Sequence, residues 1–262
     1  MTNSLRTLAT GMDAAFYNRM KLGATILAAS ALLACREPPL AAPVPALASN
    51  APRGHSPALA TFHNGEAIVW DVYMRGLSVG RFSLSVSGSR GQTVNGSLRQ
   101  SKFARNFGRA RLSLETTLAV TGLPEKGHED VSLFGRRKQT AHQYRGSRVS
   151  WQRAGQRGRF SAPAPLHSAL SALGTVRGAE VPDTVYVATG VDLYEVRLSL
   201  PSRETLADRA VVRIDAEARE VGASGVAALI SVWLSDDQWR IPVRVHVEIG
   251  GAQLVAKQRP QE

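Results

Sequence analysis

Side chains able to do chemistry are few and scattered in this 262-residue chain. Its single cysteine is Cys35, so no internal disulfide can form and the core must hold by burial alone. The six histidines, at 55, 63, 128, 142, 167 and 246, do not pair at metal-ligand spacings. That points away from a zinc or haem site and implies no cofactor. No Gly-x-Ser-x-Gly elbow, phosphate loop or His-Glu-x-x-His motif occurs, which argues against an enzyme. The best carboxylate pair is Asp236-Asp237. Neighbouring aspartates in a hairpin turn usually cap backbone amides, so a hydrolase using them is an alternative rather than the main reading.

Cationic groups offer binding rather than catalysis. In RQSKFARNFGRAR, Arg99, Lys102, Arg105 and Arg109 interleave with Phe103 and Phe107. Aromatics among arginines can stack nucleic-acid bases, but an exported address, argued next, excludes that partner. An anionic glycolipid or membrane surface fits better, against the plainer reading of a loop anchored by two phenylalanines. Arg240 and Arg244 share an expected strand face with His246 and Glu248. They form either a polar site or a solvated row of cross-strand ion pairs.

The address comes from Cys35. From Met20 the chain reads MKLGATILAASALLAC: a lysine, then an uninterrupted small or apolar run over residues 22–34. Thirteen residues rising 1.5 Å each span roughly 20 Å, short of a hydrocarbon core of ~30 Å. That length suits a secretory h-region. The run ends in Leu32-Leu33-Ala34-Cys35, which resembles the bacterial lipobox. A thiolate takes a diacylglyceryl group through a thioether, and multiple acyl chains anchor far better than one. The expectation is a signal peptide over residues 1–34 and a lipidated Cys35 in a Gram-negative bacterium. Arg36 stands where an inner-membrane retention signal has aspartate, which favours the outer membrane, facing the periplasm. Translation could start at Met1, Met12 or Met20.

Beyond Cys35, residues 35–61 carry six prolines among alanines and read as an extended tether. Residues 62–258 are expected to form one β-rich domain. Alternation of period two recurs along it: Ile68, Trp70, Val72 and Met74; Leu77, Val79, then Phe82, Leu84 and Val86; Leu112 to Val120; Tyr194 to Leu200; Val212, Ile214 and Ala216; and Ile241 to Ile249. Each set opposes polar residues, the pattern of antiparallel sheets with one wet face. Turn signals fall at Asn95-Gly96, Thr189-Gly190 and Ser235-Asp236-Asp237, and Pro242 implies an edge or bulge. The fold class is therefore all-β, mostly antiparallel: a curved sheet or β-barrel. One short helix is expected in PAPLHSALSALG, with Leu166, Leu170 and Leu173 on a stripe and Gly174 at its end. The Arg-rich stretch 135–159 shows little alternation beyond Val149 and Trp151, and no element is assigned to it.

Charge is divided unevenly. Overall the formal net charge is +11, yet residues 35–160 hold 19 basic and 7 acidic groups while residues 161–262 hold 10 and 13. A basic first half could meet anionic lipid or recruit an envelope protein.

The C-terminal motif, Trp233 to Asp237 followed by Arg240 to Arg244 and Gly250-Gly251, resembles the signature of a bacterial envelope family known as domain of unknown function 3108. The opening NGEAIVWDVYMRGLSVGRFSLSV and the piece LSALGTVRG (Leu170 to Gly178) are similar to its first hairpin and short helix. The likeness runs from about Phe62 to Lys257. Two features depart from it: the arginines near 125–160, and Pro201-Ser202 where the family has a Gly-Thr-Phe turn. The resemblance implies a periplasm-facing, curved or closed antiparallel barrel and no activity. The expected partners are thus a membrane through the lipid anchor, an anionic glycolipid or apolar ligand, or an envelope protein.

Overall fold

The computed structural model describes residues 62–88, 91–106, 108–178 and 180–260. The expected signal peptide, Cys35, the tether and Phe107 lie outside them. One sheet carries the fold. Its strands in chain order are β1 (Ala67–Met74), β2 (Leu77–Ser87), β3 (Gln92–Gln100), β4 (Ala110–Leu118), β5 (Pro124–Leu133), β6 (Arg136–Arg145), β7 (Arg148–Arg153) and β8 (Gln156–Ser161). The second half adds β9 (Leu166–His167), β10 (Thr184–Thr189), β11 (Asp192–Leu198), β12 (Ser202–Leu206), β13 (Arg209–Glu220), β14 (Ala228–Ser235), β15 (Pro242–Ile249) and β16 (Ala252–Gln258). Among the described residues two helices interrupt them, α1 (Lys102–Arg105) and α2 (Ala169–Val176), one more than expected.

The spatial order is β8-β7-β6-β5-β4-β3-β2-β1-β16-β15-β14-β13-β11-β10-β9, with β12 paired to β13 off this path. All pairings are antiparallel except β9 with β10. The expected all-β class is what the chain adopts. Alternation places Ile68, Trp70, Val72, Phe82, Leu84, Leu112, Leu114, Ile214, Val245 and Val247 in one buried core.

The curved sheet nearly closes. Its two arms meet through side chains of β5 and β6 bonded to backbone in and after β10. The Glu129 carboxylate accepts from the Gly190 N–H at 2.8 Å, His142 Nε2 lies 3.0 Å from the Gly190 carbonyl, and the Tyr144 hydroxyl donates to the Ala188 carbonyl at 3.4 Å. Leu166 N–H donates to the Gly146 carbonyl at 2.9 Å across the same seam.

Several expectations are corrected. The Arg-rich stretch forms β6, β7 and β8. Its inward positions hold Thr140, His142 and Tyr144, so the buried face carries polar groups and the usual apolar alternation is missing. Asn95-Gly96 is not a turn but lies inside β3. A Cβ on Gly96 would sit 2.8 Å from Phe82 Cζ and 3.1 Å from Leu170 Cδ2, so glycine there admits close packing. In β15 the alternation holds only from Val245 onward. Trp233 faces Arg244 while Leu234 faces Pro242, which leaves Val243 as the extra residue of a bulge. Leu77, Val120 and Leu200 are exposed rather than inward.

The helix α2 begins later than expected. Leu166 belongs to β9, Gly174 lies within the helix, and the helix ends at Arg177. Ser168 caps it reciprocally: its hydroxyl accepts from the Ser171 N–H at 3.1 Å, and Ser171 Oγ accepts from the Ser168 N–H at 2.8 Å. Among the described residues no helix is long and apolar enough to cross a membrane.

Candidate functional site

The wall formed by β10, β11, β13, β14 and β15 does not pack fully against α2. Between them lies a cavity of about 110 Å³. One helical stripe lines it, Ala169, Ala172, Leu173 and Val176, at the i, i+3, i+4, i+7 spacing that puts residues on one face. Opposite stand Val185, Val187, Val196, Ala216, Ala218, Ala228, Ile230 and Val232. Six lining residues are alanines, and Thr189 and Tyr194 supply its polar side chains. Space exists because the alternating positions of β13 carry Ala216 and Ala218 where the packed half of the barrel carries Trp70, Phe82 and Leu84. Ala169, Ala172, Leu173, Val196, Leu198 and Ala227 are half-buried, which marks where the cavity approaches solvent.

The other face of α2 is fixed. Leu170 presses on Gly96, and the Ser168 and Thr116 hydroxyls lie 2.8 Å apart. At the far end the buried Arg177 guanidinium pairs with Glu66 at 2.8 Å, donates to the Trp239 carbonyl at 3.1 Å and lies 5.3 Å from the Phe62 ring centroid. The helix is thus held at both ends and along one face while its other face borders a void.

A buried polar cluster sits at the barrel seam. Burial raises the Glu129 carboxyl to about 7, although the Gly190 N–H opposes that shift. Burial also lowers His142 and His167 to about 4 and pushes the Tyr144 phenol up. Arg153 Nε donates to Thr140 Oγ1 at 2.8 Å beside them. Glu129, His142 and Tyr144, with their bonds directed at backbone of the opposite arm, hold the seam shut.

Residues expected to bind stand elsewhere. Arg99, Lys102, Phe103, Arg105 and Arg109 are all exposed on the outer wall and at one open end, and none lines the cavity. Arg99 faces Arg81 on one side and Arg111 on the other. The row continues through Asp71 and Lys257 to Arg244, so Arg99 and Arg244 belong to one cross-strand ladder. Arg244 also lies 5.0 Å from the Trp233 ring centroid. Arg240 does not join them, contrary to expectation. It precedes β15 with φ 45° and donates to the Gly178 carbonyl at 2.7 Å, clamping the segment after α2. Asp237 is likewise occupied: its carboxylate accepts from the Trp239 and Arg240 N–H groups at 2.8 and 3.0 Å and from the Ser235 hydroxyl at 2.9 Å. Asp236 pairs with Arg203 at 3.1 Å. Asp237 thus serves the turn, and Asp236 ties it to β12. Sequence reasoning missed the cavity. Its signal was alanine at successive inward positions of β13.

The geometry has a counterpart among solved structures. A β-barrel-like protein of domain of unknown function DUF1849 from Brucella abortus superposes at a TM-score of 0.50, covering 74% of this chain and 94% of that one at 8% identity. The fold is β-barrel-like. Lipoprotein LppX from Mycobacterium tuberculosis (12% identity, 75% of this chain and 88% of that one) gives a TM-score of 0.28. LprF from Mycobacterium bovis (11%, 75% and 87%) gives 0.25. These two are too distant in geometry to carry the likeness further. No family model matches the chain, and no curated protein does.

Proposed function

We propose that this chain is a lipid-anchored protein of the bacterial envelope, facing the periplasm from the outer membrane, whose barrel holds an apolar, acyl-chain-like ligand without performing catalysis. The observation that carries the ligand reading is the void beside α2. At about 110 Å³ it is somewhat smaller than the ~150 Å³ apolar cavity that takes up benzene, and well below the ~300–1,000 Å³ of pockets for drug-sized molecules. It suits the end of one thin chain rather than a whole lipid. A longer segment enters only if α2 shifts, and the first turn of that helix offers the void only Ala169 and Ala172. The anchor rests on the lipobox ending in Cys35, and membership in the family of domain of unknown function 3108 is part of the same proposal.

Mass spectrometry of lipids extracted from the protein purified from bacterial cells tests the ligand reading. One acyl-chain class at a fixed ratio to protein is expected. Repeatedly empty protein that also fails to bind a fluorescent polyene fatty acid overturns it. Metabolic labelling with palmitate tests the anchor: the wild-type chain incorporates label and Cys35→Ser does not, while equal labelling of both contradicts it.

A further inference from the structure

Antiparallel order brings the β1–β2, β3–β4 and β5–β6 connections to the same end of the barrel. Each presents an apolar side chain to solvent: Leu77 is 57% exposed, Phe103 in α1 47%, and Phe134 39%. Strands β2 to β5 are neighbours, so at ~4.8 Å per strand these three side chains fall within roughly 15 Å. They stand among cations. Arg75, Lys102, Arg105, Arg109 and Arg136 are all exposed, none has a carboxylate partner among the described residues, and none of the three connections contains an acidic residue.

Two features are unfavourable for the fold alone. Phe134 sits at φ 50° before Gly135 at φ 80°, in a two-residue hairpin turn where asparagine, aspartate or glycine is preferred. Arg75 and Ala154 take the same conformation before a glycine, and the Phe134 ring covers Gly108 while leaving part of itself in solvent. On the wall just below, Arg81, Arg99 and Arg111 face one another directly, and like charges so placed repel. Asp71 partners Arg81 at 3.1 Å and Arg111 feels the charge of Asp130 on the next strand, whereas no ion pair reaches Arg99, between them, among the described residues.

We propose that this end of the barrel docks on an anionic phospholipid surface, with Phe103, Phe134 and Leu77 entering the headgroup boundary and the surrounding arginines meeting lipid phosphates. Apolar tips ringed by cations match that surface in both its layers, since basic side chains gather at the phosphates while aromatic rings settle at the interface. Occupation of the cavity and docking of the rim have separate readouts, so either stands if the other fails.

The test uses the full chain with Cys35→Ser, which removes acylation. Single cysteines at Phe134, Phe103 or Val120, each carrying an environment-sensitive fluorophore, are mixed with vesicles of phosphatidylglycerol or of phosphatidylcholine. Val120 is 85% exposed in the β4–β5 connection at the opposite end and reports any binding through other parts of the chain. Blue shifts at 134 and 103 on phosphatidylglycerol vesicles are expected, with none at 120 and little on phosphatidylcholine. They weaken with added salt. Replacing Arg75, Arg105, Arg109 and Arg136 by glutamine lowers vesicle affinity by on the order of a hundredfold or more at unchanged melting temperature. Equal shifts at all three sites, equal shifts on both lipids, or an affinity indifferent to the four arginines overturns the proposal. So does a rim that binds no vesicle yet crosslinks to one dominant protein in cells.

Discussion

Individual residues already set a pH response. Glu129, raised by burial from its ordinary 4.5 to about 7, keeps a proton in the folded chain that the unfolded chain releases above 4.5. Its contribution therefore falls as pH rises through that window, by about 3 kcal/mol in all. His142 and His167, lowered by burial from 6.5 to about 4, act oppositely: the unfolded chain takes up protons below 6.5 that the folded chain refuses. Stability contributed by the two histidines is lost as pH falls from 6.5 towards 4. Denaturant titrations across pH should show acid weakening. Glu129→Gln should steepen the acid weakening between pH 4.5 and 6.5, because Glu129 opposes the two histidines there, while the side-chain amide carbonyl it introduces still accepts from the Gly190 N–H. An unchanged profile in that variant refutes the assignment. Gly96 is a second case, because an added Cβ meets Phe82 and Leu170. Gly96→Ala should cost ~1–3 kcal/mol of overpacking, read as a lower unfolding midpoint.

At the scale of elements, α2 is a short helix whose position depends on its ends. Arg177 and Glu66 form a buried pair, and removing one partner of such a pair typically costs ~3–5 kcal/mol. Arg177→Ala should therefore destabilise strongly, whereas Ser168→Ala, which deletes the cap, should cost about 1 kcal/mol. Calorimetry of the two variants distinguishes these magnitudes. How far each element was legible in sequence follows the same physics. Strands β1, β2, β4 and the later part of β15 bury apolar residues on one face and solvate the other, so period two announced them. Strands β6 to β8 were silent because the inward face of β6 carries Thr140, His142 and Tyr144, the first bonded to Arg153 of β7 and the other two bonded across the seam. Asn95-Gly96 looked like a turn because no sequence pattern reports that Leu170 of a distant helix needs the room. The ladder joining Arg99 to Arg244 depends on β1 pairing with β16, a contact between the first and last strands in chain order that local spacing cannot encode.

Over the whole molecule, charge and void are separated. The cavity lies between α2 and the β10–β15 wall, while the cationic rim and ladder belong mostly to β1–β6. The basic first half noted in sequence thus becomes a surface, and the second half, of small net charge, encloses the void. Space in that container is set by alanines, so filling it should be possible without disturbing the rest of the barrel. Ala218→Leu, placed where the Ala218 side chain lines the void, should raise unfolding stability by roughly 0.5–2 kcal/mol, as cavity-filling changes do. The most direct test of the account is a titration of wild-type and Ala218→Leu protein with a fluorescent polyene fatty acid. The account predicts saturable binding by the wild type and loss of that binding in a variant at least as stable. Equal binding by both proteins, or none by either, would contradict it.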